Sequence, residues 1–325
     1  MNAFEYASPA TLKEALGLLG NSWSDAAVLA GGTDLLSLMK DHIAEPKRVV
    51  NIKGIKELGG ITKSGGGLRI GANATVDELM ESAAVRAEYP SLVAAARGID
   101  SPQVRNMGTV VGDLCQRPRC WYYRNGFGLL AMKGGKSLVE SGQNEFHSIF
   151  SSGPAKFVSA SSFGPALIAL GAKVKIASAS GSREVAVADF FKAPTGDGDR
   201  EIDLKPNEIV TEIVVPAAKG AKNATYEVRN KEGLDWPLAT ASVVLTMKGA
   251  NVATAKIVLG HVGPTPVVAA DAASSLAGKA INEETATAAG KAAVAGAKPL
   301  SDNGYKVQLA AVAVKRALLA AAGKA

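Results

Sequence analysis

The chain has 325 residues, 36 basic against 30 acidic side chains and a net charge of +6. This is longer than a single domain of about 100–200 residues, so two or three compact units are expected. With 47% hydrophobic and 20% charged residues the chain can bury a core, which excludes intrinsic disorder.

Two cysteines, Cys115 and Cys120, cannot build a disulfide framework or a four-cysteine metal site by themselves. His42, His147 and His261 lie too far apart for a paired-histidine metal motif. The opening residues lack a basic segment followed by an apolar run, and Lys315 and Arg316 interrupt the apolar stretch 307–322. The expectation is a soluble chain without a secretory signal or membrane span, in a reducing, cytoplasmic setting.

In chain order, the apolar run 27–30 reads as a strand ending in Gly31-Gly32, and 34–39 has helical apolar spacing with Thr33 or Asp34 as its cap. Residues 48–52 read as a buried strand, Gly65-Gly66-Gly67 as a hairpin turn, and 76–82 and 89–97 as helices. From 116 to 154 the periodicity weakens into glycine, aromatics and arginine, the mark of a functional or partner-binding excursion ordered by aromatic packing. A helix at 165–170, a hairpin of 174–176 with 185–187, a loop at 196–199 and a strand at 208–215 follow. Strands at 224–229, 239–247 and 252–259, then alanine-rich helices at 283–297 and 305–321, predict a separate α+β unit.

Two glycine-bearing segments carry a chemical expectation. Leu29-Ala30-Gly31-Gly32-Thr33-Asp34-Leu35-Leu36 runs from a strand end into a helix start. Glycines without Cβ let backbone N–H groups converge on a diphosphate, and a helix N-terminus adds partial positive charge. Asn106-Met107-Gly108-Thr109-Val110-Val111-Gly112-Asp113 is a second glycine-punctuated loop, so the pair can wrap the two ends of one dinucleotide. Each alone also reads as an ordinary turn, and neither is the G-x-G-x-x-G fingerprint. Gln116-Arg117-Pro118-Arg119-Cys120-Trp121-Tyr122-Tyr123-Arg124 interleaves arginine with aromatics, as single-stranded nucleic-acid binders and protein interfaces both do. A charge of +6 over 325 residues does not favour nucleic acid. With no G-x-S-x-G elbow and no triad, chemistry is expected to come from a cofactor.

These segments resemble the FAD-binding (medium) subunits of molybdenum hydroxylases, the family of xanthine dehydrogenase, aldehyde oxidoreductase and carbon monoxide dehydrogenase. Residues 29–36 are similar to the family's L-A-G-G-T-x-L loop, 106–113 to its N-x-x-T-x-G-G-N loop, and 116–124 to a Q-R-x-R-C-x-Y-F-R stretch. Residues 144–150 resemble N-x-x-H-A-I-F, 235–238 the segment by which the C-terminal domain approaches FAD, and 259–266 and 299–302 signatures of that domain. The resemblance spans nearly the whole chain.

It implies an α+β fold. A two-part FAD-binding domain of the vanillyl-alcohol-oxidase/PCMH type would cover 1–219, with subdomains 1–55 and 56–219 and an insertion at about 116–157. An α+β C-terminal domain of the CO dehydrogenase flavoprotein type would cover 220–325. The implied cofactor is FAD, with no metal, no iron–sulfur cluster and no catalytic side chain in this chain. Leu29, Ala30, Gly31, Gly32, Thr33, Asp34, Leu35 and Leu36 would hold the pyrophosphate, and Asn106, Gly108, Thr109, Gly112, Asp113 and Gln116 the ribityl and flavin side. His147, Ser162 and Lys231 would complete the pocket. Val111 and Asp113 stand where the family has glycine and asparagine, and Ser162 where it often has aspartate; a carboxylate beside flavin or phosphate must be paired or turned away. The 117–124 segment would dock a partner or cover the flavin.

The implied function is electron transfer in a heterotrimer. A large subunit oxidises substrate at a molybdenum cofactor, a small subunit carries [2Fe-2S] centres, and FAD here passes electrons to a small-molecule acceptor. A self-contained flavin oxidase is the alternative enzyme, and a single-stranded nucleic-acid module the alternative outside enzymes.

Overall fold

Three short parallel strands open the chain in the computed structural model, which describes residues 1–99, 101–231 and 233–324. Arg48–Asn51 lies between Glu5–Ala7 and Ala26–Leu29, in the register Tyr6↔Val49 and Leu29↔Asn51. Parallel neighbours require crossovers, and helices Leu12–Gly17 and Leu35–Lys40 lie on the two connecting segments. Gly31-Gly32 lies between the end of the edge strand at Leu29 and the start of the second helix at Leu35.

A five-stranded antiparallel sheet follows. Glu208–Val215 is its central strand, paired with Gly67–Gly71 on one side and Lys173–Ser178 on the other, while Ile61–Ser64 and Gly181–Ala186 form the edges. Ile209, Val210, Ile213 and Val215 of the central strand are buried, as expected where helices cover a sheet. Helices Val76–Glu81, Ala83–Glu88, Pro90–Arg97, Pro102–Met107 and Val110–Cys115 connect the two halves of this sheet. The first starts with a capping box: Thr75 Oγ1 accepts from Glu78 N (3.1 Å) and Glu78 Oε2 accepts from Thr75 N (2.7 Å), an arrangement worth about 1 kcal/mol.

The C-terminal sheet runs Lys222–Val228, Ala239–Lys248, Asn251–Gly260, Val267–Val268, all antiparallel. Helix Tyr305–Ala321 covers it, and helix Glu283–Ala293 packs on that helix through small residues. A Cβ on Gly290 would strike the backbone of Ala311, so this glycine lets the two helices touch. Helix Phe163–Leu170 sits between the halves of the molecule, its Pro165 ring against Gly260. One apolar core fills the first half and a second lies under the C-terminal helices, with Ile149 of the insertion reaching into it.

The expected strands and long helices form where the sequence places them. Residues 106–113 differ: they are not a loop but the end of one six-residue helix and the start of another, broken at Gly108-Thr109. Helices this short span less than two turns and leave no apolar periodicity to read. Ser101 and Thr109 cap them by accepting from Val104 N and Gly112 N.

Candidate functional site

A cavity of about 820 Å³ lies where these parts meet. Its wall draws on residues 23–46, the helix ends between 98 and 119, the 200–208 segment and the loop 234–237. Of the residues expected to bind cofactor, Ala30, Gly31, Gly32, Thr33, Asp34, Leu35, Gly108, Thr109, Gly112, Asp113, Gln116 and Ser162 line it.

The two glycine segments touch each other. A Cβ on Gly31 would fall inside the Met107 carbonyl oxygen and lie 2.8 Å from Gly108 Cα; one on Gly108 would be 3.3 Å from Thr33 Oγ1. Gly32 has φ +77°, the left-handed region in which a side chain is strained. The contact is fixed from the other side by Val76 N donating to Gly108 O and Val110 N donating to Ala74 O, both at 3.0 Å. These glycines are therefore needed for backbone to meet backbone, whatever else approaches them.

Asp34 stands at the N-cap of helix Leu35–Lys40 but does not cap it. Its carboxylate accepts instead from Arg117 N (2.8 Å) and Arg124 Nη2 (2.8 Å), with Arg119 Nη2 at 3.2 Å. The backbone N–H groups of Gly31, Gly32, Thr33 and Asp34 meet no acceptor among the described residues. A segment of backbone donors without acceptors on a cavity wall, ahead of a helix whose cap is withdrawn, suits an anion.

Asp113 is buried yet well supplied with donors. It accepts from Gln116 Nε2 (2.8 Å), Ser161 Oγ (2.5 Å), Ser162 N (3.3 Å) and Phe163 N (3.0 Å). The carboxylate thus ties helix Val110–Cys115 to the start of Phe163–Leu170, meeting the requirement that it be paired. Burial pushes its pKa up, and the hydrogen bonds from Ser161, Phe163 and Ser162 pull it back. Burial pushes the neighbouring Cys115 thiol, also on the wall, up to about 12, so it stays protonated.

The arginine and aromatic segment folds inward across this site. Arg117 pairs with Glu201, and Arg119 and Arg124 with Asp34. Arg119 lies 4.7 Å over the Trp236 ring and Arg200 4.1 Å over the Trp23 ring. These four residues, Trp23, Arg119, Arg200 and Trp236, all line the cavity. The arginine-rich composition marked Arg119; nothing around Arg200 or Trp23 signalled a wall position. The aromatics of the insertion pack among themselves instead, with Trp121 edge-on to Phe146 at 5.6 Å and to His147 at 5.7 Å.

Five expected site residues stand off the wall. Leu29 packs with Met39 and Val49, Leu36 and Asn106 are exposed, and exposed Lys231 gives only its N–H to Asp235 Oδ2 (3.0 Å). His147 is not on the wall and lies buried inside the insertion. It is 2% exposed, with Nε2 3.2 Å from Cys120 Sγ, and Lys306 Nζ donates to its carbonyl. Its ring packs within the insertion against Trp121 and Tyr122 while its carbonyl meets the C-terminal domain, and burial lowers its pKa to about 4.

The volume falls within the range of about 300–1,000 Å³ usual for small-molecule sites, and uncapped N–H groups with nearby guanidinium groups match the diphosphate of FAD. The comparisons agree. The family model described as FAD binding domain in molybdopterin dehydrogenase matches residues 2–218, and that described as CO dehydrogenase flavoprotein C-terminal domain matches 224–321. The carbon monoxide dehydrogenase medium chain of Hydrogenophaga pseudoflava is 33% identical over 98% of this chain and 96% of its own. The aldehyde oxidoreductase FAD-binding subunit of Escherichia coli (strain K12) is 29% identical, covering 95% of each. A solved carbon monoxide dehydrogenase from Hydrogenophaga pseudoflava superposes with TM-score 0.78 over 99% of this chain and 98% of that one, at 33% identity. Quinoline 2-oxidoreductase from Pseudomonas putida 86 also gives 0.78, at 27% identity, with coverage of 99% and 98%. The chain belongs to the family of FAD-binding medium subunits of molybdenum hydroxylases, an oxidoreductase subunit built from an FAD-binding and a CO dehydrogenase flavoprotein C-terminal domain.

Proposed function

We propose that this chain is the electron-exit subunit of a heterotrimeric molybdenum hydroxylase. Electrons from a molybdenum cofactor in a large subunit would arrive through [2Fe-2S] centres of a small subunit and leave to a small-molecule acceptor. FAD, when bound, supplies the conversion from single electrons to a pair.

The observation that carries this reading is that the carboxylates on the cavity wall are already engaged. Asp34 holds arginines, Asp113 holds the start of Phe163–Leu170, and Glu208 accepts from Arg183 at 2.8 Å. Glu45 accepts from His42 at 2.8 Å, and Asp235 accepts from N–H groups of its own loop. Among the described residues the wall offers donors for binding and no uncommitted carboxylate as general base. That is the pattern of a site whose chemistry belongs to its cofactor.

Residues 29–36 would hold the diphosphate through main-chain N–H groups, and 106–116 the ribityl and flavin side, with Ser162 and the loop after Lys231 closing the pocket. We divide the chain into a flavin domain at 1–219, with subdomains meeting at 55 and 56, and a C-terminal domain at 220–325. We assign the assembly to the cytoplasm, whose reducing poise suits the free thiols of Cys115 and Cys120. The test is the assembled complex stripped of flavin. Substrate should still reduce its iron–sulfur centres while turnover with the acceptor is lost and returns on adding FAD; full acceptor turnover without flavin would contradict the assignment.

A further inference from the structure

Arg117, Arg119 and Arg200 line the large cavity with Arg124 next to them on Asp34, and three of the four have acidic partners. Arg119 and Arg124 share Asp34, and Arg117 takes Glu201. Arg200 has none: among the described residues it forms no hydrogen bond or ion pair, and its Nε is closed off from solvent without an acceptor. The guanidinium lies over the Trp23 ring, 4.1 Å away, which holds its plane in place without satisfying an N–H. Both side chains line the cavity.

A guanidinium presents five donors and cannot shed its charge near neutral pH. The Glu201 charge beside it compensates in part, but leaving the guanidinium's donors half-buried with no acceptor is unfavourable unless something outside the chain supplies one. Burial and the nearby Arg117 charge lower its pKa to about 10, so it remains a cation. Glu201, the adjacent carboxylate, is held by Arg117 and is not free to turn. We propose that Arg200 is the anion-receiving side chain of this cavity and that its ligand is a diphosphate, either that of FAD or that of a dinucleotide electron acceptor. The assignment rests on the reading that the cavity holds FAD.

The full chain is prepared as wild type, Arg200→Met and Arg200→Lys. Affinity for FAD is read from flavin fluorescence quenching on titration into the flavin-free protein. Affinity for ADP-ribose, a diphosphate without flavin or nicotinamide, is read by calorimetry on the FAD-loaded protein. Losing a charge-assisted hydrogen bond should raise one dissociation constant about 10–100-fold in Arg200→Met, with Arg200→Lys between. Loss confined to FAD identifies the cofactor's diphosphate; loss confined to ADP-ribose identifies the acceptor's. The thermal midpoint of flavin-free Arg200→Met should stay level or rise, because a buried donor without an acceptor has gone, whereas a structural role would lower it. If Arg200→Met does not fold, Arg200→Lys decides. Wild-type affinity for both ligands in the variants overturns the assignment of Arg200 alone; a wild-type chain that binds neither ligand overturns the cavity reading with it.

Discussion

At Gly31 a single added methyl group would meet the Met107 carbonyl, and the two segments that meet there cannot both keep their positions. Asp113 governs the other end of the same wall, where one carboxylate gathers Gln116, Ser161 and the first N–H groups of Phe163–Leu170. Asp113→Ala leaves these buried donors unsatisfied and should cost about 3 kcal/mol of stability in urea unfolding. A loss under about 0.5 kcal/mol, the scale of a neutral surface change, would show that the network is not needed. That the glycines and Asp113 would stand together on one wall was legible because turn and cap chemistry is local. Arg200 and Trp23 were not, since a cavity wall assembled from distant segments has no spacing to detect. The position of His147 away from that wall was not legible, because its place in the chain says nothing of which side of the insertion its ring packs on.

At the scale of elements, the insertion is held to the C-terminal domain by buried polar contacts. Asn144 Nδ2 donates to Ser301 Oγ (2.9 Å), Asn303 Nδ2 to the carbonyls of His147 and Ser148 (3.1 Å each), and Lys306 Nζ to His147 O (3.1 Å). His147 and His261 are kept neutral by burial, with pKa values lowered to about 4 and about 3 from 6.5. An unfolded chain therefore binds protons that the folded one refuses, so their contribution is complete above pH 6.5 and is lost as pH falls through about 4 and about 3. Burial lowers Lys306 from 10.5 to about 7, so stability should also rise with pH between those values. Thermal midpoints from pH 3 to pH 10 should climb in both windows, and Lys306→Met should flatten the alkaline one. A wild-type midpoint that falls from pH 7 to pH 10 would contradict the assignment to Lys306. Long strands and the two C-terminal helices were readable from period and composition, whereas the short helices around 106–113 form through side-chain caps and tertiary contact.

Across the whole molecule, the first apolar core supports the glycine segments, and the second, reached by Ile149 of the insertion, supports the C-terminal sheet. Arg119 bridges these parts at the cavity, between Asp34 of the first unit and Trp236 of the loop entering the C-terminal sheet. Arg119→Ala should weaken flavin retention about tenfold through loss of this tie, read as faster flavin release on dilution. Unchanged release would reduce Arg119 to a surface pairing.

The central claim is that the meeting of the two glycine segments forms the FAD site. Flavin per chain, measured by absorbance after denaturing release, tests it most directly in wild type and Gly31→Val titrated with FAD. About one FAD per wild-type chain and almost none in the variant is the predicted result. A wild-type chain that stays colourless in excess FAD, or a Gly31→Val chain that fills equally, would contradict it.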